Sequence, residues 1–410
     1  MKNLKKIAIL ALIFVSVSFF SACSSGKSSL MITANPSKIV YEINEKFDAN
    51  GLNIESFNND GTTTKIFLSD GDIEEVDTST AGEKVVKVKK DNLSTTFLIY
   101  VANHVVTQAS QIKQVITDSN EGDIIYIKKG EYKPESNQDE SLYNILIDKK
   151  LTIIGDGSKD TIIHGNFVVG ARDEGGDFLP LDNFEGFKLI NIGMKLDYTK
   201  KDKYLTYEGP YLNYDIFGAI KTFNSSKIYI SNCSFMGYSY AINLDNITNL
   251  TLVNNTFRDI KINAVKVTNN IKNSTISKNL FMDIATSSIA MENSKQASIG
   301  ALYLSFNSKD NAGVIISNNI FTRIALMNGD FNYVTPGADE LETQENISLT
   351  ARSYVNNSSI IALVSSAENN LEVGGIIISM NNFGTTLKNI AFGTNETNIV
   401  NQTGVIINEA

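Results

Sequence analysis

Hydrophobic and polar positions follow three successive patterns along this chain. Ile7 to Phe20 is a run of 14 residues without a charge, behind Lys2, Lys5 and Lys6. It is shorter than the roughly 20 residues that span a bilayer and suits the apolar centre of a secretory signal. From residue 30 to 103, apolar residues alternate with polar ones in short runs: Lys38–Tyr41, Leu52–Ile54, Lys65–Leu68, Lys84–Val88 and Thr95–Val101. Period-two alternation broken by turn residues predicts an antiparallel sandwich. Asn59-Asp60-Gly61 predicts a hairpin turn there, because Gly supplies the positive φ that such turns demand.

From residue 104 onward the pattern repeats. Five segments follow apolar-x-apolar-x-x-Asn-x-Phe spacing, with Cys233 at the Asn position of the first and Ser274 opening the third: Ile228–Phe235, Leu250–Phe257, Ser274–Phe281, Val314–Phe321 and Ile376–Phe383. Their phenylalanines stand 22, 24, 40 and 62 residues apart, so two coils are clean and later ones carry insertions. Leucine-rich repeats have a similar core but continue into a helix or 3₁₀ segment. Here Ala241–Leu244, Ala264–Val267 and Ser288–Met291 alternate and include β-branched residues, which predicts second strands. The expected fold is all-β: an antiparallel β-sandwich, then a right-handed parallel β-helix whose coils stack about 4.8 Å apart. Thr107–Asp118, with Ala109, Ile112, Val115 and Ile116 on one face, predicts an N-terminal cap helix. The position two before each Phe reads Cys233, Asn255, Asn279, Asn319 and Asn381. Stacked amides there would satisfy each other along the axis, with Cys233 a small filler at the end.

Composition narrows the chemistry. The chain has 410 residues, 47 of them Asn, which works against long helices. Net charge is −9 with no basic patch, which leaves a nucleic-acid partner without an electrostatic footprint. With only His104, His164, Cys23 and Cys233, zinc sites, Cys/His dyads and Ser-His-Asp triads all lack parts. The only arginines are Arg172, Arg258, Arg323 and Arg352.

Three resemblances add to this reading. Ser21-Ala22-Cys23, closing the apolar run, resembles the lipobox of bacterial lipoproteins. It implies a signal peptide over 1–22, acylation of Cys23 by chains such as palmitate, a flexible tether over 23–29 and a mature charge of −12. The implied partner is a membrane, and the implied location is the cell envelope, at the outer membrane or cell surface. Tyr41, Glu45-Lys46-Phe47-Asp48, Gly51-Leu52 and Asp77-Thr78-Ser79-Thr80-Ala81-Gly82 resemble bacterial Ig-like domains, covering 30–103. That family usually has Gly where Asn44 stands, a residue that tolerates the left-handed backbone. Such domains act as spacers or adhesion modules. Gly122–Tyr132, Leu151–Gly157 and Thr161–Gly165 are similar to the opening coils of the pectin lyase-like superfamily, pectin methylesterases most of all, within 104–410.

Resemblance to pectin methylesterases implies two working carboxylates. The strand that would carry the acid aligns with Gly237-Tyr238-Ser239-Tyr240-Ala241-Ile242, which puts Tyr240 at the acid and Ser239 at a glutamine. The nucleophile position falls near Ile262-Asn263, again without a carboxylate. Two other segments draw attention. Arg172-Asp173-Glu174-Gly175-Gly176-Asp177 reads as a loop in which Arg172, Asp173 and Asp177 are catalytic candidates, and Asp173, Glu174 and Asp177 could hold calcium, the one cofactor considered. It reads equally as a solvated acidic loop. Tyr198, Tyr204, Tyr207, Tyr211 and Tyr214 form an aromatic cluster in a Lys-, Asp- and Gly-rich insertion. Such rings suit stacking on sugars or a protein partner, or simply seal the insertion onto the coils. The expectation is a lipid-anchored surface protein whose β-helix binds polysaccharide or a surface partner without catalysis. The alternative is a divergent lyase or hydrolase of acidic glycans, and a third reading is a purely structural envelope lipoprotein. The stretch from Tyr333 to Gly375 reads as an insertion without an assigned role.

Overall fold

The computed structural model describes residues 29–58, 60–136, 139, 141–174, 177–196, 218–285, 300–324, 326–327, 330–334, 344–348, 353–354, 359–367, 371–384, 390–392, 400–401 and 405–408. The chain divides into two compact units, one ending at Val105 but also holding Asp123–Tyr126, the other formed by the remainder from Val106.

The first unit contains two small sheets, Ser29–Ala34 with Asn53–Phe57 and Thr63–Ile66, and Val40–Tyr41 with Gly82–Lys90 and Leu93–Val101. Leu30, Tyr41, Ile54, Val86, Val88, Phe97 and Ile99 make its core. All but Leu30 are inward positions of the alternating runs. The strand Ser29–Ala34 carries only a short alternation and was not expected. Its first residue belonged to the expected tether. Asn58 N–H donates to Thr62 O at 2.8 Å across the hairpin turn, where Gly61 has φ +86. Asn44 adopts φ +65, the left-handed conformation in which it replaces glycine.

The second unit is a parallel β-helix. Each coil contributes a strand to each of three sheets, so every strand pairs in parallel with its counterpart one coil away. From Thr152 on, the first sheet stacks Thr152–Gly155, Lys188–Ile190, Tyr229–Ser231, Thr251–Val253, Thr275–Ser277, Asn311–Ser317, Gly374–Ser379 and Val405–Asn408. The second stacks Gly130–Tyr132, Thr161–Ile163, Gly193–Lys195, Ser234–Met236, Thr256–Ile260, Leu280–Ile284, Ile320–Ile324 and Asn382–Gly384. The third runs through Ile145–Ile147, Phe167–Val169, Gly218–Ser226, Tyr240–Thr248, Asn263–Lys272, Gly300–Phe306, Ile361–Ser365 and Ile390–Phe392. Ile361–Ser365 pairs in register with Gly300–Phe306, so that part of the stretch expected as an insertion is a coil strand. The helix Ala109–Asp118 buries Ile112 and Ile116, and its first turn is closed by Gln111 Oε1, which accepts from Gln108 N–H at 3.0 Å.

Two internal stacks hold the coils in register. Asn279 Oδ1 accepts from the Asn255 backbone N–H at 2.9 Å and from Asn255 Nδ2 at 3.1 Å. Asn279 Nδ2 donates to Leu252 O and to Asn319 Oδ1, both at 3.0 Å. Asn255, Asn319 and Asn381 continue the scheme. Beside it, Phe235, Phe257, Phe281, Phe321 and Phe383 stack face to face with centroids 4.8 to 5.3 Å apart. Cys233 caps the amide stack as expected: its N–H donates to Asn255 Oδ1 at 2.9 Å. Complete burial pushes its thiol up to about 12. Cys233 should therefore resist alkylation at mildly alkaline pH and label only on unfolding, as peptide mass spectrometry would read; rapid native labelling would contradict this burial.

Asparagine also makes the corners. Twelve of the twenty non-glycine residues with positive φ among the described residues are Asn, including Asn232, Asn254 and Asn318 directly before the ladder. The amide side chain lowers the cost of a left-handed backbone there. Asp156 accepts from Lys129 N–H in the adjacent coil at 2.6 Å. Two interior groups are unsatisfied among the described residues, His164 Nδ1 and the Thr222 hydroxyl, each buried without a hydrogen-bond partner. Thr222→Val keeps the shape and should stabilise by about 1 kcal/mol in urea unfolding, while a loss of similar size would reveal a hidden partner.

Candidate functional site

Long excursions interrupt the coils at one corner, between second-sheet and third-sheet strands. The chain leaves after Lys195 and re-enters at Gly218, leaves after Ile284 and re-enters at Gly300, and leaves after Ile324 and re-enters at Ile361. The two coils between the first pair of excursions keep short corners, Met236 to Tyr240 and Ile260 to Asn263. The roots at Lys195 and Ile284 are three coil steps apart, about 14 Å at the spacing of paired strands. Insertions of a solenoid gather on one face, which is often its binding face.

The short corners form the floor of this interval. Lys261 N–H donates to Tyr238 O at 2.9 Å and Ile262 N–H to Ser239 O at 3.0 Å, so the two corners ride on each other. The Tyr238 hydroxyl donates to Gly165 O at 2.6 Å. Tyr240 and Asn263, the positions aligned with the two carboxylates of the esterase pattern, are register partners on neighbouring coils. Both are buried. Asn263 Nδ2 donates to Gly300 O at 3.1 Å, and the Lys266 ammonium lies 4.6 Å from the Tyr240 ring centroid. A column across the third sheet reads Lys221, Asn243, Lys266 and Tyr303. Burial pushes the Tyr303 hydroxyl up, and Lys266 acts against that shift. Sequence reasoning missed Lys221 and Lys266 as parts of the site. Their place in the alternation Ala264-Val265-Lys266-Val267 marks an outward position and could have found them.

The described arginines of the second sheet serve a different arrangement. Arg323 forms a two-point pair with Asp283, its Nη2 at 2.8 Å from Oδ2, and Arg258 Nε lies 3.9 Å from the same carboxylate. Hydrogen bonding to Arg323 holds the Asp283 carboxyl below its ordinary range. Asp259, the sequence neighbour of Arg258, pairs with Lys261 at 2.9 Å. His104 Nε2 lies 2.9 Å from Asp123 Oδ2, and His164 Nε2 lies 2.8 Å from Glu131 Oε1.

Arg172 and Asp173 belong to a hairpin rather than a loop: Ala171–Glu174 pairs antiparallel with Asp177–Pro180. Asp173 stands opposite Phe178, and Glu174 opposite Asp177. The hairpin leaves between third-sheet and first-sheet strands, a different corner from the three excursions. Side chains of Glu174 and Asp177 lie outside the description, and no group of three or more His, Cys, Asp or Glu able to hold a metal ion occurs among the described residues. Tyr198, Tyr204, Tyr207, Tyr211, Tyr214 and Cys23 lie outside the described residues.

No curated protein sequence matches the chain. Similar solved structures include a PL6-family alginate lyase, with TM-score 0.36, 12% identity, and coverage of 74% of this chain and 39% of that one. The chain thus spans well under half of that lyase. The catalytic domain of a GH87 α-1,3-glucanase in complex with nigerose gives TM-score 0.33 and 12% identity over 79% of this chain and 70% of that one. A pectate lyase bound to a hexasaccharide gives TM-score 0.31 and 12% identity over 73% and 86%. Residues 34–101 match the family model of the bacterial Ig-like domain, group 3, and this segment of the chain is such a domain.

Proposed function

We propose that this chain is a lipid-anchored surface protein whose Ig-like domain is a spacer and whose β-helix binds polysaccharide without cleaving it. The observation that carries the reading is topological. The excursions leave one corner, the first of them holds the five-tyrosine cluster, and the third sheet beside the short corners between them carries half-buried Lys266 over the buried Tyr240 ring. Aromatic faces with ammonium groups suit sugar rings, which offer C–H faces and hydroxyls together. Neither position aligned with an esterase carboxylate holds one, which supports binding over ester hydrolysis. The anchor rests on Ser21-Ala22-Cys23 behind the apolar run. Metabolic labelling with an alkyne fatty acid should mark the wild type and not Cys23→Ala.

Affinity electrophoresis through gels containing neutral and uronate polysaccharides tests the binding. Retardation is expected in at least one, reduced roughly tenfold in Tyr204→Ala/Tyr207→Ala, about 1.4 kcal/mol of binding. Unretarded migration in every gel would sink the polysaccharide and leave a protein partner.

A further inference from the structure

The floor of the interval is tied to a histidine two coils below it. The strand Thr161–Ile163 leads into His164, whose side chain is 2% exposed. Its Nε2 lies 2.8 Å from Glu131 Oε1, while Nδ1 is buried without any hydrogen-bond partner. The next residue is Gly165, where a Cβ would sit 2.0 Å from Leu142 O, so the backbone is closely packed and admits no side chain. Gly165 O accepts the Tyr238 hydroxyl. Tyr238 is itself buried and opens the short corner that ends at Tyr240. Imidazole and floor are thus joined by one backbone step and one hydrogen bond.

We propose that protonation of His164 releases the His164–Gly165 segment from Tyr238 and so loosens the floor of the site in acid. In the neutral imidazole, Nε2–H donates to Glu131 and Nδ1 carries only a lone pair. Adding a proton creates a buried N–H donor with nothing to accept it, and an unpaired buried donor costs enough to favour rearrangement of the segment. The charged groups facing His164 are Glu131 and Lys133 from the preceding coil and Lys195 from the following one. Burial pushes the imidazole below its ordinary value; Glu131 opposes that, and the two lysines add to it. Because the folded value is depressed, the closed state is fully favoured above the ordinary histidine value. It weakens as pH falls from there through the folded value. Loss of ligand in acid rests on the binding reading above, whereas loosening of Tyr238 does not.

Hydrogen exchange of the full chain at about pH 7.5 and about pH 5.5, corrected for chemical exchange rates, separates the two. Protection of the peptide over Tyr238–Ala241 should drop about tenfold at the lower pH in the wild type and stay level in His164→Gln, which keeps a donor for Glu131. Tyr238→Phe should show equal, low protection at both pH values, a control that holds even if the histidine variant fails to fold. Protection in the wild type that ignores pH, or falls equally in His164→Gln, would overturn the proposal. A pH-dependent Tyr238 in a protein that binds no polysaccharide would retire the ligand reading alone.

Discussion

Asn279→Ala should destabilise the β-helix by about 4 kcal/mol, a large effect for a single side chain. Asn279 is 1% exposed, so water cannot replace the bonds it makes. Truncation strands the Asn255 backbone N–H, one Asn255 Nδ2 hydrogen and the Leu252 carbonyl together. Each unpaired buried group costs roughly 1–3 kcal/mol, and partial relaxation between coils recovers some of the total. Asn279→Asp keeps acceptors, loses both amide donors and buries a charge. It should be at least as damaging near neutrality and should recover as pH falls, since a buried carboxyl has a raised folded pKa and its stability is lost as pH rises. Urea unfolding followed by circular dichroism reads both. A loss under 1 kcal/mol for the alanine variant would mean the ladder is incidental to stability.

Phe281→Ala ranks second, at about 3–5 kcal/mol. Its ring is fully buried between Phe257 and Phe321, each 4.8 Å away and within 7° of parallel. Truncation removes two stacking contacts and leaves a cavity that the rigid coils above and below cannot fill. Phe281→Leu retains most of the volume and should cost about 1–2 kcal/mol, with the difference reporting the stacking. Equal losses in the two variants would assign the whole effect to apolar burial. Phe383, at the end of the stack and only half-buried, should tolerate truncation better.

The ladder was legible because its spacing is short-range and recurs: Asn255 and Asn279 each stand two residues before a phenylalanine, and inward alternation does the rest. The Asn surplus was half legible. Its ladder part follows from the repeat, whereas Asn232, Asn254 and Asn318 serve as left-handed corners, a role set by backbone geometry that alternation does not encode. Arg258 shows the limit of adjacency. Its sequence neighbour Asp259 turns to Lys261, and the carboxylate near it is Asp283, one coil on. The site's position was hidden for the same reason. Three insertions of different length and composition share a corner only once the coils are stacked, and Lys266 meets Tyr240 across 26 residues of chain. Arg172 to Asp177 read as a loop because Gly175-Gly176 break the alternation, yet the flanking segments Ala171–Glu174 and Asp177–Pro180 pair as antiparallel strands.

The central claim is recognition without turnover, and one measurement tests it most directly. The full chain is incubated with each polysaccharide that retards it, with and without calcium, and reducing and unsaturated ends are followed over time. The account predicts retention of the intact polymer with no new ends above a heat-denatured control. Ends that accumulate with wild type and vanish in Arg172→Ala would contradict it and restore a lyase or hydrolase centred on the Arg172–Asp177 hairpin.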